Sequence, residues 1–344
     1  MINRILHSLT ILLGVVVLVF VLFQLLGDPA KMIAGQTGDK KTIEQIKVSL
    51  HLDQPKWKQF VLYLNDLSPV GFYDSVSFAE KEINGIVFGN RSLIVMKFPY
   101  LGKSYQSKKS VSSMLWEALP ATIALAFLAM LLASILGISI GVLSALNKDK
   151  WIDKIGVFIS VFGISAPSFF MALIIAYLFG IYWHDHTGLN FTGSLFETDE
   201  ATGAHYLALK NIILPAITLG IRPMAIITQL TRSAMLEVLQ QDYIRTAFAM
   251  GINRSKIILK LALKNAINPI FTSISGWFAE LLAGSFFVEY IFGWKGIGKI
   301  TVDALGKLDF PVVLGAVLMS AVFFIIIQFC SDMIIRLLDP RIKD

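Results

Sequence analysis

The chain has 344 residues, of which 55% are hydrophobic and 16% charged, and its mean hydropathy is +0.68. This composition is more apolar than that of a water-soluble domain. The formal net charge of +6 does not indicate nucleic-acid binding, because the basic residues stand mostly beside apolar blocks, where they orient membrane proteins. The single cysteine, Cys330, excludes a disulfide within the chain and a thiolate metal cluster. We expect an integral membrane protein that uses no cofactor and no metal.

Six apolar blocks are long enough to cross a membrane, since a helix needs about 20 residues to span a hydrocarbon core of about 30 Å. The first block is too long for the apolar region of a signal peptide and is followed by no small-residue cleavage site, so we expect it to be retained. The predicted fold class is all-α integral membrane, with an extracytoplasmic domain after the first helix. The predicted spans are Ile5–Leu26, Leu119–Leu146, Ile155–Trp183, Ile212–Leu239, Ile267–Ile291 and Phe310–Leu338.

Between the first two spans, residues 28–117 have the composition of a small soluble domain. Two helices are predicted there, Thr42–Leu52 and Pro55–Leu67, the second from apolar residues that recur at helical spacing. Residues 71–100 show no pattern that assigns them to a helix or a strand.

The distribution of Lys and Arg predicts the orientation of the chain in the membrane. The connection 147–154, the connection 240–265 and the tail 339–344 are basic and belong in the cytoplasm, whereas the only Lys or Arg of loop 184–210 is its last residue. Long loops such as 28–117 are exported largely regardless of their charge. Six spans then place both termini in the cytoplasm. The predicted divisions are a first transmembrane helix (1–27), an extracytoplasmic segment (28–117), a core of five spans (118–338) that contains the cytoplasmic segment 240–265, and a cytoplasmic tail (339–344).

Small and ionisable residues within the spans carry further information. Gly137 and Gly141 form a G-x-x-x-G pattern in the second span, which predicts close helix packing. Glu280 lies deep in the fifth span, where it either lines an aqueous path or makes a structural hydrogen bond between helices. Glu289 and Arg222 stand nearer the outer boundary, where snorkelling is expected to relieve the cost of burial, so a structural role is favoured for both.

Two groups of residues resemble ligand-binding motifs without meeting their requirements. His184, His186 and His205 in loop 184–210 have a spacing that fits no closed set of metal ligands. Gly293–Lys299 approaches a phosphate-binding loop, but isoleucine occupies the position of the required Ser or Thr, and neither a preceding strand nor a soluble helix is expected there. The chain is therefore expected to have no ATP site and to be no enzyme by itself.

The segment 242–269 is too charged to span a membrane, yet its apolar residues recur at helical spacing. It is predicted to form a short helix, a turn near Gly251 and a second amphipathic helix on the cytoplasmic surface. The residues alone are also compatible with a basic juxtamembrane segment held on anionic lipid.

Arg245, Thr246 and Ala247, followed by Gly251 and Pro269, resemble the coupling-loop motif of ABC importer permeases, in the variant of the dipeptide and oligopeptide permease family. Other motifs of that family follow in order along most of the chain: Leu119-Pro120-Ala121-Thr122, Ser165-Ala166-Pro167-Ser168-Phe169, Leu214-Pro215-Ala216, Thr231-Arg232-Ser233 and Leu338-Asp339-Pro340-Arg341. The resemblance implies a type I ABC importer permease fold in the bacterial cytoplasmic (inner) membrane. Residues 71–98 match no feature of the family, which predicts an added segment.

The resemblance also implies partners and site residues. In the family, the coupling segment docks into a cleft of the ATPase subunit, and the corresponding residues here are Asp242, Tyr243, Arg245, Thr246, Ala247, Gly251 and Pro269. The expected partners are a second homologous permease subunit, two cytoplasmic ATPase subunits that supply ATP hydrolysis, an extracytoplasmic solute-binding protein and the lipid bilayer, with no nucleic acid. Peptides are the expected solute, although relatives also move nickel chelates, haem and sugars. The alternatives are a secondary transporter driven by an ion gradient, or a membrane enzyme, whose convergent catalytic groups are not evident in the sequence.

Overall fold

Helices account for most of the computed structural model, which describes residues 2–25, 30, 39–49, 51–74, 78, 81, 83, 85–89, 92–198, 203–283 and 285–338. The predicted cytoplasmic tail and the motif residues Asp339, Pro340 and Arg341 lie outside these residues. The chain divides into two units: residues 1–119 with 300–322, and residues 120–299 with 323–344. Three helices contribute residues to both units.

The first unit contains the N-terminal helix, two short helices and a small sheet. Its elements are α1 (Ile2–Leu25), α2 (Lys40–Ser49), α3 (Lys56–Leu67), β1 (Val70–Asp74), β2 (Gly85–Phe88) and β3 (Ser92–Lys97), with the beginning of α4 (Val111–Leu146), most of α13 (Ile297–Gly306) and the first half of α14 (Phe310–Leu338). The two helices predicted between the first spans are confirmed as α2 and α3, with ends that shift by up to three residues.

The strands of the first unit occupy the region that the sequence left unassigned. They form an antiparallel sheet in the order β1-β3-β2, in which Phe72 pairs with Ile94 and Ile86 with Met96. Alternate residues of β1 and β3 are buried, so each strand covers a small core with one face only. Within the same unit, Val16 and Val19 of α1 pack against Leu314 and Leu318 of α14.

The second unit contains most of the membrane helices. Its remaining elements are α5 (Trp151–Ser165), α6 (Ser168–Tyr177) continued by a π-helix (Leu178–Tyr182), α7 (His184–Thr187), β4 (Phe196–Thr198), β5 (His205–Leu207), a 3-10 turn (Leu209–Ile212), α8 (Ile213–Leu239), α9 (Asp242–Ala249), α10 (Arg254–Lys256), a π-helix (Ile257–Ala262), α11 (Leu263–Ala283) and α12 (Phe286–Ile291). Helix α8 packs against α5, α6 and α11, and it is the central helix of this unit.

Within the described residues, five helices are long and apolar enough to cross a membrane: Leu6–Leu25, Val111–Leu146, Leu209–Leu239, Arg254–Leu282 and Phe310–Ile334. This confirms the predicted all-α membrane architecture. A sixth span arises only if Trp151–Ser165 and Ser168–Tyr182, which meet at 107°, cross together.

Two predicted spans therefore need correction. The span Ile155–Trp183 is not one helix, because Pro167 keeps Ala166 in an extended conformation (φ −76°, ψ 124°) and ends α5. The span Ile267–Ile291 begins earlier, at Leu263 within the predicted cytoplasmic connection, and α12 is a separate helix. Ser285, at the start of α12, has a non-helical backbone (φ −87°, ψ 60°).

The G-x-x-x-G prediction is confirmed by close packing inside the second unit. A Cβ atom on Gly137 would lie 2.9 Å from the carbonyl oxygen of Met224, and one on Gly141 would lie 2.7 Å from that of Thr228. Both carbonyls belong to α8. The two glycines thus let α4 approach the backbone of α8.

Candidate functional site

The connection after α8 forms a helical hairpin, which we call the coupling hairpin and define as residues 242–256. Helix α9 ends at a reversal in which the amide of Gly251 donates to the carbonyl of Phe248 (3.0 Å) and that of Ile252 to the carbonyl of Ala247 (3.2 Å). This pair of bonds is the Schellman arrangement, which requires a left-handed residue, and Gly251 has φ +73°. The side chain of Asn253 then caps the next helix by accepting a hydrogen bond from the amide of Ser255 (2.9 Å). The predicted helix and turn are confirmed.

One face of α9 is buried in the chain's own core. Ile244 and Ala247 are at most 2% exposed and belong to the same cluster as Ile257, Ile258 and Ala262 of the following π-helix. Ala247 therefore packs inside the hairpin, and its small size allows α9 to approach the second arm. The part of Ala247 in ATPase coupling stays a prediction; in this chain its side chain is buried.

The opposite face of α9 is exposed. Tyr243 and Phe248 are 44% and 46% exposed, and Arg245 and Thr246 are also exposed. The Tyr243 hydroxyl accepts a hydrogen bond from Nδ2 of Asn265 (3.0 Å), which ties the exposed face to α11. The hairpin is thus held by the core on one side and presents aromatic and polar side chains on the other.

Three other predicted coupling residues, Asp242, Arg245 and Pro269, are exposed. Asp242 and Arg245 form an ion pair of 3.6 Å whose side chains are almost entirely exposed, so it contributes little to stability. Pro269 is exposed within α11, well beyond the hairpin. The structure brings together six of the seven predicted residues and leaves Pro269 outside the hairpin.

The second arm of the hairpin does not end at the membrane surface. It continues through the π-helix into α11, so that Arg254–Leu282 reads as one long helix. Helix α9 follows α8 after only two residues. The hairpin is therefore connected to two membrane helices, by two residues on one side and by a continuous helix on the other.

Glu280 is exposed on α11. Trp277 lies one turn earlier on the same face, and the guanidinium carbon of Arg222 lies 5.5 Å from the centre of its ring. Arg222 is therefore held by an aromatic side chain within the second unit. Two membrane helices thus bring Arg222 to the ring of Trp277, and Glu280 follows that tryptophan by three residues on the same helix.

Glu289 does not snorkel, contrary to the sequence-based expectation. It is fully buried in α12, where one carboxylate oxygen accepts hydrogen bonds from the hydroxyls of Thr122 (3.1 Å) and Ser285 (3.4 Å) and the other from the amide of Lys299 (3.2 Å). The Thr122 hydroxyl also accepts from the amide of Ile297 (2.9 Å). The structural role predicted for Glu289 is confirmed, but it depends on buried hydrogen bonds rather than on contact with water.

Two glycines of the segment Gly293–Lys299 leave the space that the Glu289 carboxylate occupies. A Cβ on Gly296 would lie 2.4 Å from Oε2 of Glu289, and one on Gly298 would lie 2.9 Å from it. The backbone amides that resemble a phosphate-binding loop are thus directed at a carboxylate and a hydroxyl of the chain itself.

An ion pair that the sequence analysis missed joins α5 to α8. Nε and Nη2 of Arg232 lie 2.6 and 2.7 Å from the two carboxylate oxygens of Asp153, whose side chain is 4% exposed. The amide of Asp149 donates a further bond to Asp153 (3.0 Å). An arginine inside an apolar helix requires a partner, and this signal was present in the sequence.

His184 contacts the backbone of its own loop. Nδ1 of His184 lies 2.7 Å from the carbonyl oxygen of Leu189. In the part of the chain that the structure describes, no group of three His, Cys, Asp or Glu side chains is placed to hold a metal ion. The side chain of His205 lies outside that part.

The fold resembles that of a solved ABC transporter. A structure of the MetNI methionine ABC transporter in an inward-facing conformation matches 66% of this chain and 97% of its own chain, with a TM-score of 0.52 and 16% sequence identity. At this identity the likeness shows the fold, which is the predicted type I importer fold.

The chain belongs to the family described as "Binding-protein-dependent transport system inner membrane component", which residues 137–344 match, while residues 1–126 match the N-terminal region of such membrane components. It is an inner-membrane, multi-pass component of a transport system. A dipeptide transport permease of Alkalihalophilus pseudofirmus is 33% identical over 99% of this chain and 98% of its own length, and one of Escherichia coli is 31% identical over 96% and 94%. The resemblance to dipeptide and oligopeptide permeases is confirmed.

A glutathione transport permease of Pectobacterium atrosepticum aligns over 343 residues that include 99% of this chain and 98% of its own, at 33% identity. That residues 71–98, which contain nearly all of the small sheet, are an added segment stays a prediction.

Proposed function

We propose that this chain pairs with a second permease subunit to form the translocation path of an ATP-driven importer for peptides or a similar small solute. Two ATPase subunits in the cytoplasm hydrolyse ATP, and an extracytoplasmic binding protein delivers the solute. The observation that carries the proposal is the coupling hairpin, whose inner face is fixed to the core of the second unit while its outer face is exposed.

The hairpin is built to transmit force. It is joined through α9 to α8 and through its second arm to α11, and the Asp153–Arg232 ion pair fastens α5 to α8. A rigid-body movement of the ATPases is thereby passed to several membrane helices at once, which is the form of coupling needed for alternating access. We assign ATPase contact to the exposed residues Tyr243, Arg245, Thr246 and Phe248, with Asp242 at the start of the helix.

The orientation belongs to the same proposal. The hairpin and the connection 147–154 face the cytoplasm, together with both termini, and the segment 28–117 and the loop 184–210 lie outside. The side chains of Arg254, Lys256 and Lys260 are exposed, in keeping with a basic cytoplasmic surface. The divisions 1–27, 28–117, 118–338 and 339–344 follow from this orientation.

We assign Glu280, with Arg222 and Trp277, to the translocation path. A peptide carries a terminal ammonium and a terminal carboxylate, and an anionic and a cationic side chain from neighbouring membrane helices complement both. Charged side chains on exposed faces of membrane helices are costly unless they meet water or a partner. The names of the similar permeases, which refer to dipeptides and glutathione, support a peptide solute.

The hairpin is tested by replacing Phe248 with glutamate and measuring how much ATPase co-purifies with the permease. The replacement changes an exposed side chain, so insertion and folding should be unaffected while ATPase recovery falls at least tenfold. Lys148→Glu, which changes the charge of an exposed residue in the other basic connection, is the matched control. Equal ATPase recovery from Phe248→Glu and the unmodified chain would refute the proposed contact.

The orientation is tested with a thiol-specific reagent that does not cross membranes. In a Cys330→Ser background, a cysteine in place of Arg254 should react only after the cytoplasmic side is opened. Reaction in sealed, right-side-out vesicles would place the hairpin outside, where no cytoplasmic ATPase reaches it.

A further inference from the structure

The first unit encloses a cavity that the proposed transport function does not use. It has a volume of about 500 Å³ and lies among the end of α1, helix α3, residues 100–108 and the first turns of α14. Cavities of about 300 to 1,000 Å³ are of the size that holds a small ligand.

The cavity crosses a membrane boundary. Phe20 and Phe23 line it from the last turns of the α1 span, and Leu314 and Leu318 line it from the first turns of the α14 span. Since α1 and α14 pack together within this unit, the end of one span and the beginning of the other mark the same membrane surface. The apolar floor of the cavity therefore lies at the depth of acyl chains.

The rim of the cavity is cationic. Lys81, Lys103 and Lys108 line it, and Asp66 is the one acidic side chain among its lining residues. Asp66 is bound by Lys81 at 2.6 Å. The cavity lining therefore combines more lysines than carboxylates with apolar side chains of two membrane helices.

The rim is also held in shape. The carboxylate of Asp309 accepts hydrogen bonds from the Ser104 hydroxyl and from the amide of Tyr105 (2.8 Å), which fixes the chain between Lys103 and Lys108. On the other side of the cavity, Nε2 of Gln24 in α1 donates to Oε1 of Gln59 in α3 (2.8 Å). The cavity thus has walls formed by buried and half-buried polar contacts rather than by a mobile surface.

We propose that this cavity binds an anionic phospholipid of the surrounding membrane, with the phosphate group at Lys108 and Lys103 and an acyl chain along Phe20, Phe23 and Leu314. A membrane phospholipid places its phosphate at the boundary and its chains in the core, which is the distribution of charge and apolar surface that the cavity offers. The bound lipid links α3 to α1 and α14, and so attaches the small domain of the first unit to the membrane surface. In the proposed orientation, it belongs to the outer leaflet.

The proposal is tested by native mass spectrometry of the full chain, purified with its accompanying subunits and equilibrated with phosphatidylglycerol or phosphatidylethanolamine. Phosphatidylglycerol should be retained preferentially. Lys108→Glu should weaken its retention about 30-fold, because a basic residue near an anionic surface contributes about fivefold and charge reversal counts twice. The matched control is Lys109→Glu, since Lys109 is equally exposed but does not line the cavity; it should leave retention unchanged.

A second variant tests the apolar floor. Leu62→Trp fills the cavity from α3 and should lower retention of both lipids, with thermal unfolding used to confirm that the protein is folded. The proposal is overturned if the two lipids are retained equally, if Lys109→Glu matches Lys108→Glu, or if inorganic phosphate or a dipeptide displaces the lipid. None of these readouts involves transport, so they are independent of the proposed function.

Discussion

The buried ion pair between Asp153 and Arg232 allows an asymmetric prediction. Arg232→Gln leaves the Asp153 carboxylate, which is 4% exposed, without its guanidinium, whereas Asp153→Asn leaves an arginine that is 24% exposed. Removing one partner of a buried pair costs about 3 to 5 kcal/mol, because an uncompensated charge remains. The free energy of unfolding falls further when the charge that is left without a partner is the more buried one. We therefore expect Arg232→Gln to be the more destabilising change, at about 4 kcal/mol, and Asp153→Asn to cost about 2 kcal/mol, below that range because the exposed arginine is partly hydrated.

The measurement is reversible unfolding of the purified chain in mixed detergent micelles, with both single variants and the double variant. Each single variant leaves one buried charge without its partner, whereas the double variant leaves neither. The double variant should therefore cost less than the sum of the two single variants, with a coupling energy of about 1 to 3 kcal/mol. Arg222→Gln, which removes an arginine held over an aromatic ring, is a control for the loss of charge alone. Additive effects, or a larger loss from Asp153→Asn, would show that the pair does not fasten α5 to α8 as its geometry indicates.

Three further predictions concern other parts of the chain. Glu289→Leu should destabilise the second unit by about 3 kcal/mol, because it leaves the hydroxyl of Thr122 and the amide of Lys299 without their acceptor, and Glu289→Gln should recover part of this in the same unfolding assay; equal losses would contradict it. Gly251→Ala should cost about 1 kcal/mol and reduce ATPase recovery, since φ is +73°, whereas Gly276→Ala, at a helical glycine with open space, should be neutral; a neutral Gly251→Ala would refute the role of the turn. Burial lowers the pKa of Lys97 from its ordinary value of 10.5 to about 8, so the unfolded state binds more protons in this interval and the stability of the small sheet should rise from pH 8 towards 10; hydrogen exchange should show this rise, and Lys97→Met should abolish it.

The features that could be predicted from the sequence are those that depend on neighbouring residues. Apolar runs such as Phe310–Leu338 identify membrane helices because the hydrocarbon core imposes a length on each helix separately. The hairpin was also predictable, since helical spacing followed by Gly251 is a local signal. The helix break at Ala166-Pro167 also has a local signal, the proline. It was not predicted, because the residues on both sides of it are apolar enough to suggest one span.

The roles of individual side chains were less accessible. Ala247 is small and sits in a surface helix, and only its packing against Ile257 and Ile258 shows that it faces inward. Glu289 stands near the end of an apolar block, and its partner Thr122 lies 167 positions away. The sequence contains no signal that links two such residues.

The amino-acid sequence by itself determined that this protein lies in a membrane and where most of its apolar helices run, because hydrophobic length and helical spacing act within a few turns. The tertiary structure decided which charges are paired, which glycines serve close packing and where a cavity remains. Asp153 and Arg232 are 79 positions apart, and their pairing depends on how α5 packs against α8. A charge in the membrane must find a partner, but the choice of partner is made only when the helices pack.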